Sequence, residues 1–332
     1  MKRITIYLGS KCDMNCPYCH REGDNMDTPL SQNLLDLINK HYKEENHKIS
    51  IKFMGGEPSL YIKDIEKIVT LFPDALFEIT TNGKSFNKYK EFYLKNKFFV
   101  VLSYDGTSIR GYDPLLEKID YPYLGISSVI YNENYNLYKI LRKFSEKEKI
   151  IGRKISFYPH LFHYTNEENS KYQLSENQLD ELILIYKSII KDFIVSLKSG
   201  MINRKYEGIF FSISKRYFFN YSYGETSCSN RDIIKVDRYG QEFTCHYIRT
   251  NKINDNNRKE KIINEINQNK FPCNKCEWYF ACGAACIKSK NHKMECRFYK
   301  SIFRFFKELY SKNKLVIDNY LEGVDTYENI KK

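Results

Sequence analysis

The residues with the clearest capacity for chemistry are ten cysteines, and they fall in two blocks. Cys12, Cys16 and Cys19 stand near the start; Cys228, Cys245, Cys273, Cys276, Cys282, Cys286 and Cys296 follow much later, with none between residues 20 and 227. Thiols grouped at ligand spacing in a reducing compartment are read as metal ligands before disulfides. Three thiols so close together can wrap three corners of one cubane iron–sulfur cluster and leave its fourth iron open. With His20 or a later ligand, the same triplet could close a tetrahedral zinc site. In the second block Cys273, Cys276, Cys282 and Cys286 are separated by two, five and three residues, and four residues separate Gly240 from Cys245. That block reads as iron–sulfur ligands or, alternatively, as two zinc knuckles.

These cysteines need elements to hold them. Short runs rich in Ile, Val, Phe and Tyr predict strands at Arg3–Leu8, Lys48–Phe53, Leu76–Thr80, Phe98–Ser103, Tyr123–Ile130 and Lys154–Tyr158. Helical patterns predict Ser31–Lys43, Leu60–Leu71, Ser85–Lys95, Asn134–Lys147 and Glu176–Lys198 between and after them. Strand and helix in alternation imply a parallel sheet with right-handed crossovers. Six units rather than eight imply an α/β fold of the partial (β/α)6, TIM-like kind, with chemistry at the C-terminal ends of the strands. The triplet lies at the first such end, Gly55-Gly56-Glu57-Pro58 at the second, Asn82-Gly83 at the third and Ser103 at the fourth. Paired glycines let backbone approach a ligand closely, and Glu57 or the adjacent carbonyls could accept from an ammonium group.

The second half is expected to differ. Ile233–Asp237 and Gln241–His246 alternate about Arg238-Tyr239-Gly240, which predicts a hairpin. Asn251–Lys261 reads as a loop running into a short helix, and Cys273–Cys296 as a small segment shaped by bound metal. An aromatic-rich helix is predicted over Phe298–Tyr310, followed by a loosely held tail. The expected organisation is a barrel over residues 1–200, a cysteine-rich iron–sulfur domain over 201–300, and a terminal helix and tail over 301–332.

The three-then-two spacing of Cys12, Cys16 and Cys19, with aromatic Tyr18 just before the last, resembles the signature of the radical S-adenosylmethionine (SAM) superfamily, and Gly55–Pro58 one unit later matches its second element. The resemblance implies a 4Fe-4S cluster whose open iron takes SAM, which on reduction releases a 5′-deoxyadenosyl radical. It implies SAM contacts from Tyr18, Gly55, Gly56, Glu57, Pro58, Asn82 and Ser103. Relatives carry an arginine about a dozen residues after the serine; here Leu115 stands there, and Arg110 is the nearby candidate for the SAM carboxylate. The later cysteines resemble, one by one, the SPASM domain of peptide- and protein-modifying members. That implies an outer auxiliary cluster on Cys273, Cys276, Cys282 and Cys296, and an inner one on Cys228, Cys245 and Cys286. No further cysteine lies in Phe218–Ser227, so the inner cluster is expected to have an open iron or a non-cysteine ligand. Three 4Fe-4S clusters follow in all. Where sulfatase maturases place an aspartate base, this chain has His246, which can also take a proton near neutral pH. His160 and His163, after the sixth strand, are expected to be structural.

The formal charge is +12, but Lys and Arg are spread along the chain without a basic run, so no nucleic-acid partner is expected. No apolar run reaches the ~20 residues of a membrane span, and the first residues turn polar too quickly for a signal peptide, so a cytoplasmic location is expected. The implied function is modification of a ribosomal peptide or protein, forming a thioether, a C–C crosslink or a related oxidation, with a ferredoxin or flavodoxin as reductant. The alternatives are a formylglycine-generating anaerobic sulfatase maturase and, from another class, a zinc-stabilised nucleic-acid-binding protein.

Overall fold

The computed structural model describes residues 1–19, 28–115, 121–151, 155–163, 167–228, 232–243, 258–269 and 271–323. Six strands follow the predicted order: β1 (Arg3–Tyr7), β2 (Ser50–Met54), β3 (Leu76–Thr81), β4 (Phe99–Ser103), β5 (Leu124–Ile130) and β6 (Ser156–Leu161). Each pairs in parallel with its predecessor, as crossover connections require. Alternation along the strands sorts the side chains. Ile4, Ile6, Ile51, Phe53, Ile79, Val100 and Leu102 are fully buried beneath the helices. On the opposite, concave face Thr5, Lys52 and Glu78 stand in one row that continues to Phe99, and Ser103, Ser127 and Tyr158 stand in another. The barrel is therefore polar inside, and its buried Glu78 is matched by Lys52 and by Arg3.

The helices on the convex face are α1 (Gln32–Glu44), α2 (Ile62–Leu71), α3 (Phe86–Lys95), α4 (Leu137–Ile151), α5 (Glu176–Lys198) and α6 (Arg204–Phe219). Their starts are set locally. Ser31 caps α1 by accepting from the Leu34 amide, and Ser175 with Gln178 forms a reciprocal capping box on α5. The sequence reading contains no counterpart of α6. It packs on β6 and α5, with Phe210 against Phe193 at 4.6 Å.

The described residues hold the start of the predicted hairpin: about the turn at 238–240 the Asp237 amide donates to the Gln241 carbonyl, the Phe243 amide donates to the Lys235 carbonyl, and Glu242 bridges antiparallel to Val236. Residues 244–246 of its second arm lie outside the described residues. Ile233–Asp237 is also β7, which runs parallel to β1 along its whole length, from Arg3 opposite Ile233 to Tyr7 opposite Asp237. The reason for this second pairing is burial: Ile234 and Val236 extend the apolar convex face beside Ile4 and Ile6, and β1 offers an otherwise unpaired edge. The sheet order is thus β6-β5-β4-β3-β2-β1-β7.

Beyond β7 lie α7 (Arg258–Gln268), the single turn α8 (Tyr279–Cys282) and α9 (His292–Gly323). The last is far longer than Phe298–Tyr310; it breaks helical geometry only at Asn313 and packs on α5, with Phe298 edge-on to Tyr186 at 4.9 Å. A small second core of Tyr221, Ile262, Ile266, Cys273, Tyr279, Ala284 and Ile287 lies under the cysteine-rich segment. Among the described residues no helix is long and apolar enough to cross a membrane.

Arg238, directly after β7, fastens the sheet's new edge to the loop after β1. Its buried guanidinium donates to the Leu8 carbonyl at 3.0 Å and to Asp64 at 2.7 Å, and lies over the Tyr61 ring. Removing one member of a buried pair leaves the other charge and the carbonyl without their partner. Arg238→Met is expected to lower folding stability by roughly 2–4 kcal/mol, and Asp64→Asn, where the carboxylate is itself partly solvated, by about 1 kcal/mol. Urea midpoints of the two variants would check this order.

Candidate active site

The loop that leaves β1 is held by the end of β2. The Gly56 amide donates to the Gly9 carbonyl at 2.8 Å and the Glu57 amide to the Lys11 carbonyl at 2.7 Å. A Cβ on Gly56 would lie 2.3 Å from the Lys11 oxygen, and one on Gly55 2.6 Å from the Gly9 oxygen, so only glycine permits this approach. The Tyr61 hydroxyl accepts from the Lys11 amide at 2.9 Å. Along the loop the Cys19 amide donates to the Cys16 carbonyl, which turns the chain between the second and third thiols. Cys12 and Cys16 are half-buried, Cys19 is exposed, and all three are free. Burial pushes the Cys16 thiol up; Arg110 opposes this, and Cys19 and Cys12 add to it, which places the three thiols together.

Glu57 is almost wholly buried, and both of its oxygens are occupied within the protein. Oε1 accepts from the Ser59 amide at 3.0 Å and the Thr81 hydroxyl at 2.7 Å, and Oε2 from the Asn82 amide at 2.7 Å. Burial raises its carboxyl while these three donors pull it down. Glu57 thus ties β2 to β3. Pro58 starts the short 3-10 turn Pro58–Tyr61 behind it. Asn82 reaches across to the cysteine loop, its side-chain amide donating to Asp13 at 2.6 Å, and Lys84 donates to the Asp13 carbonyl at 2.9 Å. Ser103 ends β4, half-buried and in register with Ser127.

A second polar group stands beside Cys16. The Tyr18 hydroxyl donates to Asp105, which is fully buried and also accepts from the Thr107 amide and hydroxyl. Arg110 lies among Tyr18, Cys16 and Asp105; burial disfavours its charge, but these neighbours hold it protonated. Its Nε makes no hydrogen bond among the described residues. Leu115, where relatives carry arginine, is buried in the core. Asp105, which the sequence reading does not single out, is thus brought beside Tyr18 and Cys16; its place just after the end of β4 is the signal that could have found it.

The later cysteines form two unlike environments. Cys273 and Cys282 are buried and their thiols are pushed up to about 12, first by burial and then by other thiols of the set, Cys296 foremost. Cys276 and Cys296 lie with them, since Cys276 raises both Cys273 and Cys296. Cys228 is the opposite: exposed, and held toward thiolate by Lys235, with His163 and Arg216 assisting against burial. Cys286 is buried, and its amide donates to Glu295, whose other oxygen meets His163 Nδ1 at 3.1 Å. His163 therefore serves a structural bridge from the barrel to α9, and Glu295 is its missed partner. His160 is kept neutral, its value lowered to about 4 by burial and by the cations Arg216 and Lys52. Cys245 and His246 lie outside the described residues.

The role of Glu57 can be tested directly. Glu57→Gln turns an acceptor-only group into one whose NH2 must face donors, and is expected to lower stability by about 1–3 kcal/mol and reduce the iron retained after anaerobic reconstitution. A carboxylate free to bind ligand would leave the urea midpoint unchanged on this substitution.

Comparisons with known proteins bear on the same residues. A family model described as a 4Fe-4S single cluster domain matches residues 2–111, which include the triplet, Gly55–Pro58, Ser103 and Arg110. A cysteine-type anaerobic sulfatase-maturating enzyme of Clostridium novyi is 24% identical over 91% of this chain and 95% of its own length. Among solved structures, native anSMEcpe with bound AdoMet and Kp18Cys peptide superposes with a TM-score of 0.66 at 20% identity, over 94% of this chain and 99% of that one. Streptococcus suis SuiB bound to the precursor peptide SuiA gives a TM-score of 0.53 at 18% identity, over 87% and 73%. These two share the fold. Taken with the cysteine triplet and its backbone clasp, these likenesses support the radical SAM family that the sequence resembles, with radical SAM chemistry at the triplet.

Proposed function

We propose that the chain modifies a ribosomal peptide or a protein, abstracting a hydrogen from a substrate carbon to form a thioether, a C–C crosslink or a related oxidation. The observation that carries this reading is the exposed Cys228, held toward thiolate by Lys235, His163 and Arg216, beside a polar barrel interior. A set of cysteines meant only to stabilise the fold would be buried throughout, as Cys273, Cys282 and Cys286 are. Bound at the triplet, a reduced 4Fe-4S cluster with SAM supplies the 5′-deoxyadenosyl radical.

The remaining roles belong to the chain's own residues. Cys12, Cys16 and Cys19 hold the cluster; the carbonyls of Gly55 and Gly56 accept from the SAM ammonium; Arg110, beside Cys16, takes its carboxylate. Tyr18, Asn82 and Ser103 line the same mouth. Cys273, Cys276, Cys282 and Cys296 would hold an outer auxiliary 4Fe-4S cluster, and Cys228, Cys245 and Cys286 an inner one, for three clusters in all. Those groups would supply an acceptor for the electron that the substrate gives up, and His246 would accept the proton. A ferredoxin or flavodoxin reduces the enzyme, which works in the cytoplasm. The peptides bound in the anSMEcpe and SuiB structures support a peptide substrate. Sulfatase maturation is the second reading, favoured by the near full-length likeness to the Clostridium novyi enzyme, while His246 in place of an aspartate speaks against it.

The test is incubation of reconstituted, reduced enzyme with SAM and either short peptides encoded beside it or a sulfatase-derived cysteine peptide, followed by mass spectrometry. A mass loss with 5′-deoxyadenosine on the former supports peptide maturation; formylglycine on the latter transfers the assignment to the second reading. Cys12→Ala, Cys16→Ala and Cys19→Ala should each abolish 5′-deoxyadenosine. Cys276→Ala should leave its formation in place and remove the peptide product.

A further inference from the structure

His292 opens α9, one helical turn before Cys296, and its side chain is buried. Its Nε2 lies 3.4 Å from the Cys296 sulfur and 3.7 Å from the Cys273 sulfur. The imidazole is stacked flat against Phe271, with ring centroids 3.6 Å apart and planes within 9°. Phe271 itself stands two residues before Cys273, so the ring is clamped between the two cysteines by the segment that delivers one of them. Nδ1 makes no hydrogen bond among the described residues. The ring also meets the backbone of Cys286, and its Nε2 is aimed at two sulfurs whose chain positions are far apart.

We propose that His292 donates its Nε2–H to the thiolates of Cys273 and Cys296, orienting both and raising the reduction potential of the cluster they hold. This rests on the reading that Cys273, Cys276, Cys282 and Cys296 ligate one cluster. Four cysteines already complete that set, so the imidazole acts as a donor to sulfur and not as a fifth ligand. A hydrogen bond to a ligating sulfur withdraws negative charge and favours the reduced state; such bonds are among the determinants of cluster potential. The ring stack fixes the donor's direction, a freely rotating side chain being unable to serve two sulfurs at once.

The experiment uses the reconstituted holoenzyme and EPR-monitored redox titration. The outer cluster's signal is defined as the one that Cys276→Ala removes. His292→Phe keeps the stack on Phe271 but deletes the N–H; His292→Gln keeps a donor. The expected result is a full iron content in His292→Phe with the outer midpoint shifted to more negative potential, and a smaller shift in His292→Gln. Loss of the outer cluster in His292→Phe with retention in His292→Gln would support the same role. An unchanged midpoint in His292→Phe, equal loss of the cluster in both variants, or a nitrogen hyperfine coupling of a directly bound imidazole in the unmutated enzyme would overturn it. If Cys276→Ala removes no cluster signal, the ligand reading fails, and that failure is distinguishable from any result at His292.

Discussion

The amides of Gly56 and Glu57 donate to the carbonyls of Gly9 and Lys11, and through these bonds the end of one strand holds the loop that follows its neighbour. The cysteine loop has no regular structure of its own, so its shape must come from outside. Parallel pairing of β1 with β2 brings Tyr7 beside Met54 and delivers the two segments to the same place. Each such bond contributes only about 1 kcal/mol net. Their importance is geometric: at the separation observed, any side chain on Gly55 or Gly56 would force the loop away. Glu57 then extends the attachment to the third strand through Thr81 and Asn82, and Asn82 returns to the loop at Asp13. Three strand ends and one loop thus form a closed circuit around the triplet.

The thiols divide by electrostatics as well as by sequence. Cys273 and Cys282 are buried and their thiols are held toward the protonated form, so metal bound there would release protons and be coupled to folding of the small core beneath. Lys235, His163 and Arg216 draw the Cys228 thiol the other way, toward thiolate.

Sequence reading recovered the elements whose signals are local. Ser31 and Ser175 mark helix starts by their own side chains, and the alternating apolar runs mark β1 to β6 to within a few residues at either end. The glycine pair was recognisable because its constraint is carried by two adjacent residues. What escaped involves partners far apart in the chain. β7 was legible as one arm of a hairpin, but its parallel pairing with β1, more than two hundred residues away, was not. Tyr18 with Asp105, His163 with Glu295, and Arg238 with Asp64 are likewise contacts between segments that share no local motif. Glu57 shows a subtler gap: its type and place were legible, but not that its lone pairs were already taken.

The parallel pairing of β7 with β1 bears on how the two cysteine blocks can be inherited. A fragment ending after α6 would keep β1 to β6 but expose the outer edge of β1, with its row of unpaired backbone donors and acceptors and the apolar Ile4 and Ile6 alongside. Such an edge is a template for strand addition from another molecule, and the fragment would tend to self-associate. The cysteine-rich segment is therefore no detachable accessory: it supplies the strand that closes the barrel's first edge. Exchange of this segment between relatives must transfer that strand along with the thiols.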